Sequence, residues 1–352
     1  MTGRERVWAA IRFHTPDRIP LIYGVLPGAV DRYGAELSAI MARYPSDFAG
    51  QERALHGTAE DPHYRQGTDV DAWGCIWKNM GLGTEGQIVG HPLADWSALP
   101  AYRPPDPGAE DWAAVDDTIE EGRRRGKFVM FGAGRLFERM HFLRGYDRLL
   151  LDIAEDRPEV ERLRDLVLAH DLAVAELVAQ RDTDGISYMD DWGTQSALMI
   201  RPDRWRSLFK PAYRKLVQVA HDAGKAFYFH SDGCIAEIIP DLIEVGVDVL
   251  NPQFSCHDLD ELAQLCRGRV CISTDLDRQQ VLPYGTPDDV RQYTRRVIES
   301  LALPEGGLIG RAEAAPDTPP ANIEAAYAVF ACHRFGSGQN DGSQRPLGGP
   351  RE

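Results

Sequence analysis

The stretch Ala226–Ile235, AFYFHSDGCI, runs from apolar and aromatic residues into a histidine, an aspartate and a glycine turn. Alternate side chains of a strand share a face, so Tyr228, His230 and Asp232 point the same way. Three polar tips at one strand end suit a metal site, an acid–base pair or a structural hydrogen-bond cluster. With Glu313 added, His230 and Asp232 would offer one nitrogen and two carboxylate oxygens, a set suited to zinc or another divalent ion. The plainer alternative has Asp232 capping the turn at Gly233 while His230 bonds a neighbouring strand. A second candidate is MDDWGTQ, where Asp190 and Asp191 stand beside Trp192 and Gln195. Adjacent strand residues face opposite ways, so only one of the two aspartates can enter a shared cavity. Desolvation and neighbouring carboxylates would raise its pKa and suit it to general acid work.

These residues sit in a repeating frame. From about residue 127 the chain repeats a short β-rich run, a polar turn and a segment of helical period. The runs are KFVMFGAG, GISYMDD, AFYFHSD, VDVLNPQ, VCISTDLD and GLIGRAE. Between them lie helical segments such as PDRWRSLFKPAYRKLVQVAHDAG and PDDVRQYTRRVIESLA, each opening on a Pro-Asp pair suited to a first helical turn. Strict alternation implies a parallel sheet, and an earlier strand at DRIPLIYG implies closure. The expected fold is α/β, a (β/α)8 TIM barrel over residues 1–335, with a hairpin insertion in its N-terminal half at about 64–107. Residues Arg135 to Gln180 should form two or three helices, broken near Gly145 and at Asp156 to Pro158. The segment 336–352 has almost nothing apolar and reads as a disordered tail.

In such a barrel the C-terminal strand ends carry the chemistry. Asp190 and Asp191, His230 and Asp232, Asn251 and Gln253, Asp275 and Asp277, and Arg311 and Glu313 would then share one cavity. Each alone could be a turn former or helix cap. The expected catalytic residues are His230, Asp232, Asp190 and Asp191. Tyr23, Trp192, Gln195, Asn251, Gln253, Asp275 and Arg311 are expected to touch substrate. Cys234 and Cys256 are out of step with His230 and read as packing residues. DPHYRQG is superficially like a corrinoid-ligating DxHxxG signature, but Gln66 stands where glycine is required, and the match is chance.

Composition narrows the partners. The 352 residues are 43% hydrophobic and 26% charged, and no apolar run approaches the roughly 20 residues of a membrane helix. A formal charge of −15, from 54 acidic against 39 basic residues, disfavours nucleic acid and anionic membrane. The amphipathic N-terminus lacks a secretory core, so a cytoplasmic location is expected, with the six cysteines free.

Several stretches in order resemble the uroporphyrinogen decarboxylase superfamily, which includes the cobamide-dependent methyltransferases. They are RERVWAAIRFHTPDRIPL, LRGYDRLLLDI, DDWGTQSALMIRPDRWRSLFKPAYRKL, HSDGCIAEIIPDLIEVGVDVLNPQ, STDLDRQQVLPYGTPDDV and PDTPPANIEAAY. The resemblance covers nearly the whole chain to Phe335 and implies the same barrel. True uroporphyrinogen decarboxylases carry a carboxylate-clamping glutamine-alanine-glycine-arginine run that has no counterpart after Pro20, so the methyltransferase branch is the better match. Thiol-methylating members bind zinc through a His-x-Cys and a later cysteine. Here those positions read His230-Ser231-Asp232, with Glu313 near the last, which argues against a thiol acceptor.

The resemblance therefore implies an enzyme that moves a methyl group between a methoxy compound or methylamine and a corrinoid carried on a partner protein. It also implies a homodimer. A decarboxylase or lyase acting on a small acidic substrate is the alternative, with Arg311, Arg18 and Arg135 as anchors. A non-catalytic binding barrel is the third reading, opposed by the cost of so many unused ionisable groups.

Overall fold

The structure is a computed structural model that describes residues 1–51, 55–60, 63–109 and 111–335. The segment 336–352, read as a tail, and Asp61 of DPHYRQG lie outside the described residues. Among the described residues eleven strands follow in chain order: β1 Gly24–Val25, β2 Gly67–Val70, β3 Ile76–Asn79, β4 Gln87–Gly90, β5 Met130–Gly132, β6 Gly185–Met189, β7 Ala226–Ser231, β8 Val249–Pro252, β9 Cys271–Ser273, β10 Leu308–Ile309 and β11 Glu313–Ala314. From β5 to β10 they form one parallel sheet in sequence order.

The remaining staves close it. β1 pairs in parallel with β11, and Leu21 bridges Gly310 just upstream. A stave around Phe48 bridges Phe128, while the Asp47 amide donates to the Leu21 carbonyl at 2.9 Å. With β10 and β11 counted as one interrupted stave, eight positions close into the expected barrel. Every run anticipated between 127 and 313 is a strand.

Two local readings change. The insertion is a three-stranded antiparallel sheet, β2-β3-β4, rather than a single hairpin, because QIVG adds a third strand beside IWKN. The helical segment after Arg201 is two helices, Pro202–Leu208 and Lys210–Asp222, parted at Phe209 because Pro211 has no amide hydrogen to continue the first. The long region after Gly134 is three helices, Leu136–Arg144, Tyr146–Ala154 and Pro158–Ala179, with breaks at the places expected. Caps follow local chemistry. Thr286 and Asp289 satisfy each other's backbone amides at the start of Pro287–Leu301, with Pro287 in the first turn.

Ion pairs tie the N-terminal end of the barrel. Asp47, buried, accepts from Arg6 at 2.6 Å, from Arg18 at 2.8 Å and from the Leu21 amide at 2.8 Å. Arg18 precedes the first stave and so stands at the end opposite the strand termini that carry chemistry. This removes it as a substrate anchor.

At the C-terminal end the insertion leans on the mouth. A Cβ on Gly28 would lie 2.3 Å from the Gly83 carbonyl oxygen, so the turn after β3 rests on the first turn of the helix Pro27–Arg43 that follows β1. The loops after β6 and β7 meet even more closely. Gly233 has φ +76°, and a Cβ there would lie 2.0 Å from the Gly193 carbonyl oxygen. The Gly193 amide donates to the Asp232 carbonyl at 3.1 Å and the Cys234 amide to the Thr194 carbonyl at 2.8 Å. Replacing Gly233 by alanine adds both a left-handed conformation and a backbone clash. We expect Gly233→Ala to lose on the order of 3 kcal/mol of stability, read from the urea midpoint. An unchanged midpoint would show that this contact does not constrain the loops.

Candidate active site

The strand ends β5 to β11 surround a cavity of about 500 Å³, lined among others by Met130, Arg135, Met189, Tyr228, His230, Asn251, Arg311 and Glu313. Its centre follows from the sheet register. Met189, His230 and Asn251 are lateral partners on β6, β7 and β8, so His230 and Asn251 meet at one level. The Asn251 amide nitrogen donates to the carbonyls of Ser273 at 2.9 Å and Thr274 at 3.2 Å, which turns its oxygen towards His230. That oxygen lies 2.8 Å from His230 Nδ1, and the Asn251 carbonyl lies 3.0 Å away. Both neighbours are acceptors, so Nδ1 carries the hydrogen. Nε2 faces Asp232 Oδ1 at 3.3 Å.

Asp191 completes the group. Its Oδ1 accepts the Asp232 amide at 2.8 Å, and one donor atom from each of Asp191, His230 and Asp232 lies within 4.8 Å of the others. Burial works against charge on His230, but its hydrogen bond to Asp232 and the field of Asp191 raise it to about 9. Burial and the neighbouring Asp232 push Asp191 up as well. Asp232 is opposed by burial yet held below the usual carboxylate range by His230 and Arg278.

A second layer sits behind this group. Arg278, in the loop after β9, bonds Asp232 through Nη2 and Glu313 through Nη1, the latter at 3.1 Å, and its Nε lies 3.5 Å from Asp275. Arg311 holds Asp275 at 2.6 Å and Glu313 at 2.7 Å. Asp275 is fully buried, and its Oδ2 has no hydrogen-bond partner among the described residues. Arg135 lines the cavity and makes a long contact of 3.4 Å to Glu138. Burial, then the charge of Asp191, pushes the Glu138 carboxyl up to about 8. Arg278 and Glu138 are absent from the expectations above. Arg278 stands three residues beyond Asp275 in STDLDRQQ, in a loop where strand alternation no longer orders side chains, and Glu138 lies one helical turn after Arg135.

Other expected residues fall elsewhere. Asp190 faces outward: its carboxylate accepts the amides of Phe137 and Glu138, each at 2.8 Å, and the Tyr213 hydroxyl at 2.5 Å. It caps the helix Leu136–Arg144 and is no part of the cavity, because alternation sends it to the helix side when Asp191 goes inward. Burial raises it to about 7. Trp192 is fully buried, stacked on Phe137 at 4.1 Å with its indole nitrogen on Tyr213, and belongs to the core. Tyr23 also turns outward, giving its hydroxyl to the Met41 carbonyl at 3.2 Å, with its ring 4.9 Å from Tyr327.

Gln195 is exposed, pairs with Gln279 at 3.0 Å and does not line the cavity. Gln253 accepts the Gly233 amide at 2.8 Å and so braces the turn after β7, the place imagined for an Asp232 cap. Asp277 accepts the amides of Gln279 and Gln280 in its own loop.

The donor set His230, Asp232 and Glu313 does not fit a divalent ion as it stands. Glu313 has each oxygen on a guanidinium, and Asp232 shares Arg278 with it, so fixed positive charge already occupies the space between them. The third side chain beside His230 and Asp232 is Asp191, from β6, rather than Glu313, from β11.

The family model for uroporphyrinogen decarboxylase (URO-D) matches residues 86–334, more than half of the chain. A methyltransferase from Methanosarcina mazei has 17% identity and a TM-score of 0.65, covering 94% of this chain and 98% of its own. That likeness shows the shared fold. The 3-keto-D-glucoside 4-epimerase YcjR from E. coli has 18% identity over 62% of this chain and 84% of its own, at a TM-score of 0.40. No curated protein matches. Among the described residues no helix is long and apolar enough to cross a membrane.

Three outcomes check the assignments. Asp190→Ala removes the acceptor of two helix amides and a buried hydroxyl, and should cost about 1–3 kcal/mol. Asp191→Asn should leave the melting temperature nearly unchanged while impairing turnover, and the reverse pattern would invert the two roles. His230, if held as described, titrates above its unfolded value of about 6.5. Its raised pKa therefore contributes stability that is complete below about pH 6.5 and lost as pH rises through about 9. Ring resonances of His230 followed by NMR should still report imidazolium at pH 7.5, and a midpoint at or below 6.5 would contradict the geometry.

Proposed function

Since this chain belongs to the uroporphyrinogen decarboxylase family, we propose that it is an enzyme moving a methyl group from a small methylated molecule, a methoxy compound or a methylamine, to a corrinoid carried on a separate protein. The observation that supports this is the setting of His230. Its Nδ1 is fixed by Asn251, its Nε2 points among carboxylates at a cavity wall, and burial and field keep a proton there. A donor bound against Met130, Met189 and Tyr228 would place its heteroatom near Nε2. As the methyl–heteroatom bond breaks, the heteroatom gains negative charge or a lone pair, and His230 delivers its proton there. Asp232 and Asp191 steady the imidazolium before the transfer.

The corrinoid, when presented by its carrier, supplies the methyl acceptor. A cavity of about 500 Å³ is in the range for a small molecule and too small to enclose a macrocycle of that size, so the acceptor would have to approach from outside the mouth. No step in this reading passes through a metal.

Arg135 favours a second reading. It faces the cavity, its contact to Glu138 is long, and Glu138 resists ionisation, which leaves cationic character for an acidic substrate. A carboxy-lyase would use it as a carboxylate anchor.

One assay separates the two. Free cob(I)alamin is offered with methoxylated aromatics, methylamines and small di- and tricarboxylates, with methylcobalamin read by absorbance and carbon dioxide in the headspace. We expect methylcobalamin from a methylated donor, and a fall of roughly 100-fold or more in His230→Ala. Carbon dioxide release without cobalt methylation would replace the first reading with the second.

A further inference from the structure

We propose that Arg278 is the built-in cation of this active site, a guanidinium that takes the place a divalent ion would hold between the carboxylates of Asp232, Asp275 and Glu313. The three acids come from the ends of β7, β9 and β11, elements separated in sequence, yet all three turn towards one side chain from the loop after β9. Arg278 addresses them with three different nitrogens: Nη2 to Asp232, Nη1 to Glu313 at 3.1 Å, and Nε towards Asp275 at 3.5 Å. Its side chain is only 17% exposed, and those of Asp275 and Glu313 are 0% and 10% exposed. Asp232 is 32% exposed, but Asp275 and Glu313 have almost no water to stabilise their charge, and gathering the three requires a cation at their centre. A metal ion is one solution; a fork of N–H donors is another, and it is the one this chain contains.

The two are mutually exclusive here. Glu313 bonds Arg278 through Oε1 and Arg311 through Oε2, and Asp232 bonds Arg278 through Oδ1, the same oxygen that faces His230. A dication drawn to His230 Nε2 and Asp232 would lie beside a guanidinium that cannot release its proton. The donors that remain, Asp191, His230 and Asp232, are close enough together to chelate once that charge is removed. Arginine in this place therefore converts a would-be metal centre into a permanent positive field. Resting on the methyl-transfer reading, it also implies that leaving-group assistance comes from the His230 proton rather than from a Lewis acid.

The test is a zinc titration of the metal-stripped full chain, with zinc chloride alone as probe and calorimetry and elemental analysis as readouts. It uses no substrate, so its outcome is independent of whether methyl transfer is the reaction. Wild type should show no saturable site at micromolar zinc. Arg278→Met, which keeps the apolar stem, should bind one zinc per chain at least tenfold more tightly, and the double variant with His230→Ala should lose it. Arg278→Lys keeps the charge and should remain without zinc.

Stoichiometric zinc in wild type that disappears with His230→Ala would overturn the proposal. So would a folded Arg278→Met that binds no better than wild type, since the guanidinium would then not be what keeps the ion out. If the methionine variant fails to fold, wild type and Arg278→Lys still decide: zinc bound by either counts against the proposal, and its absence from both supports it.

Discussion

Carboxylates crowded where little water reaches them set the terms for the mouth of this barrel. Asp191, Asp232, Asp275 and Glu313 lie at the mouth end of four staves, after β6, β7 and β9 and on β11, and are gathered on one side of the barrel mouth. Ionised and unpaired, each would incur a desolvation cost the fold cannot absorb. The paired cations answer that constraint: Arg311 takes Asp275 and Glu313, Arg278 takes Glu313 and Asp232, and His230 shares with Arg278 the same oxygen of Asp232. The raised proton affinity of His230 is a consequence of this arrangement, because the imidazolium is the last cation in the chain of charge.

The backbone supplies the rigidity that the charges need. Close approach at Gly193 and Gly233 joins the loops after β6 and β7, so that Asp191 and Asp232 move as one body. Ser231 adds to this by accepting the Trp192 amide through its hydroxyl at 3.1 Å. Asn251, fixed on the next strand pair, then orients the imidazole. Positioning thus comes from backbone and amide groups, while the charged groups are left to face the cavity.

Much of this was legible in the residues. Strand runs bounded by turns, separated by helical segments with Pro-Asp starts, are local signals, and they place the barrel and the shared inward face of His230 and Asp232. What escaped depends on geometry beyond the last ladder bond. Past the end of β9 alternation no longer tells where a side chain points, so Arg278 could reach back over the mouth, whereas Trp192 keeps the parity of Asp190 and faces the helix layer with it. Glu313 was legible as an inward carboxylate, but its partners were not, since whether an acid meets a metal or an arginine is decided by a loop more than thirty residues away. The split at Phe209 lay in plain view in Pro211, and the apolar period on both sides concealed it.

The pair Asp190 and Asp191 has a consequence for how this chain can vary. Two chemically identical neighbours serve opposite compartments, one stitching a helix to the sheet and the other joining the His230–Asp232 group at the barrel mouth. Their assignment depends only on an even or odd count along β6. Loss or gain of a single residue between Gly185 and Asp190 would exchange them without altering either side chain, presenting the helix cap to the cavity and the cavity acid to the helix. Substitution scans of the two positions would not reveal this sensitivity. The chain is thus constrained in its length at this point more strictly than in its composition.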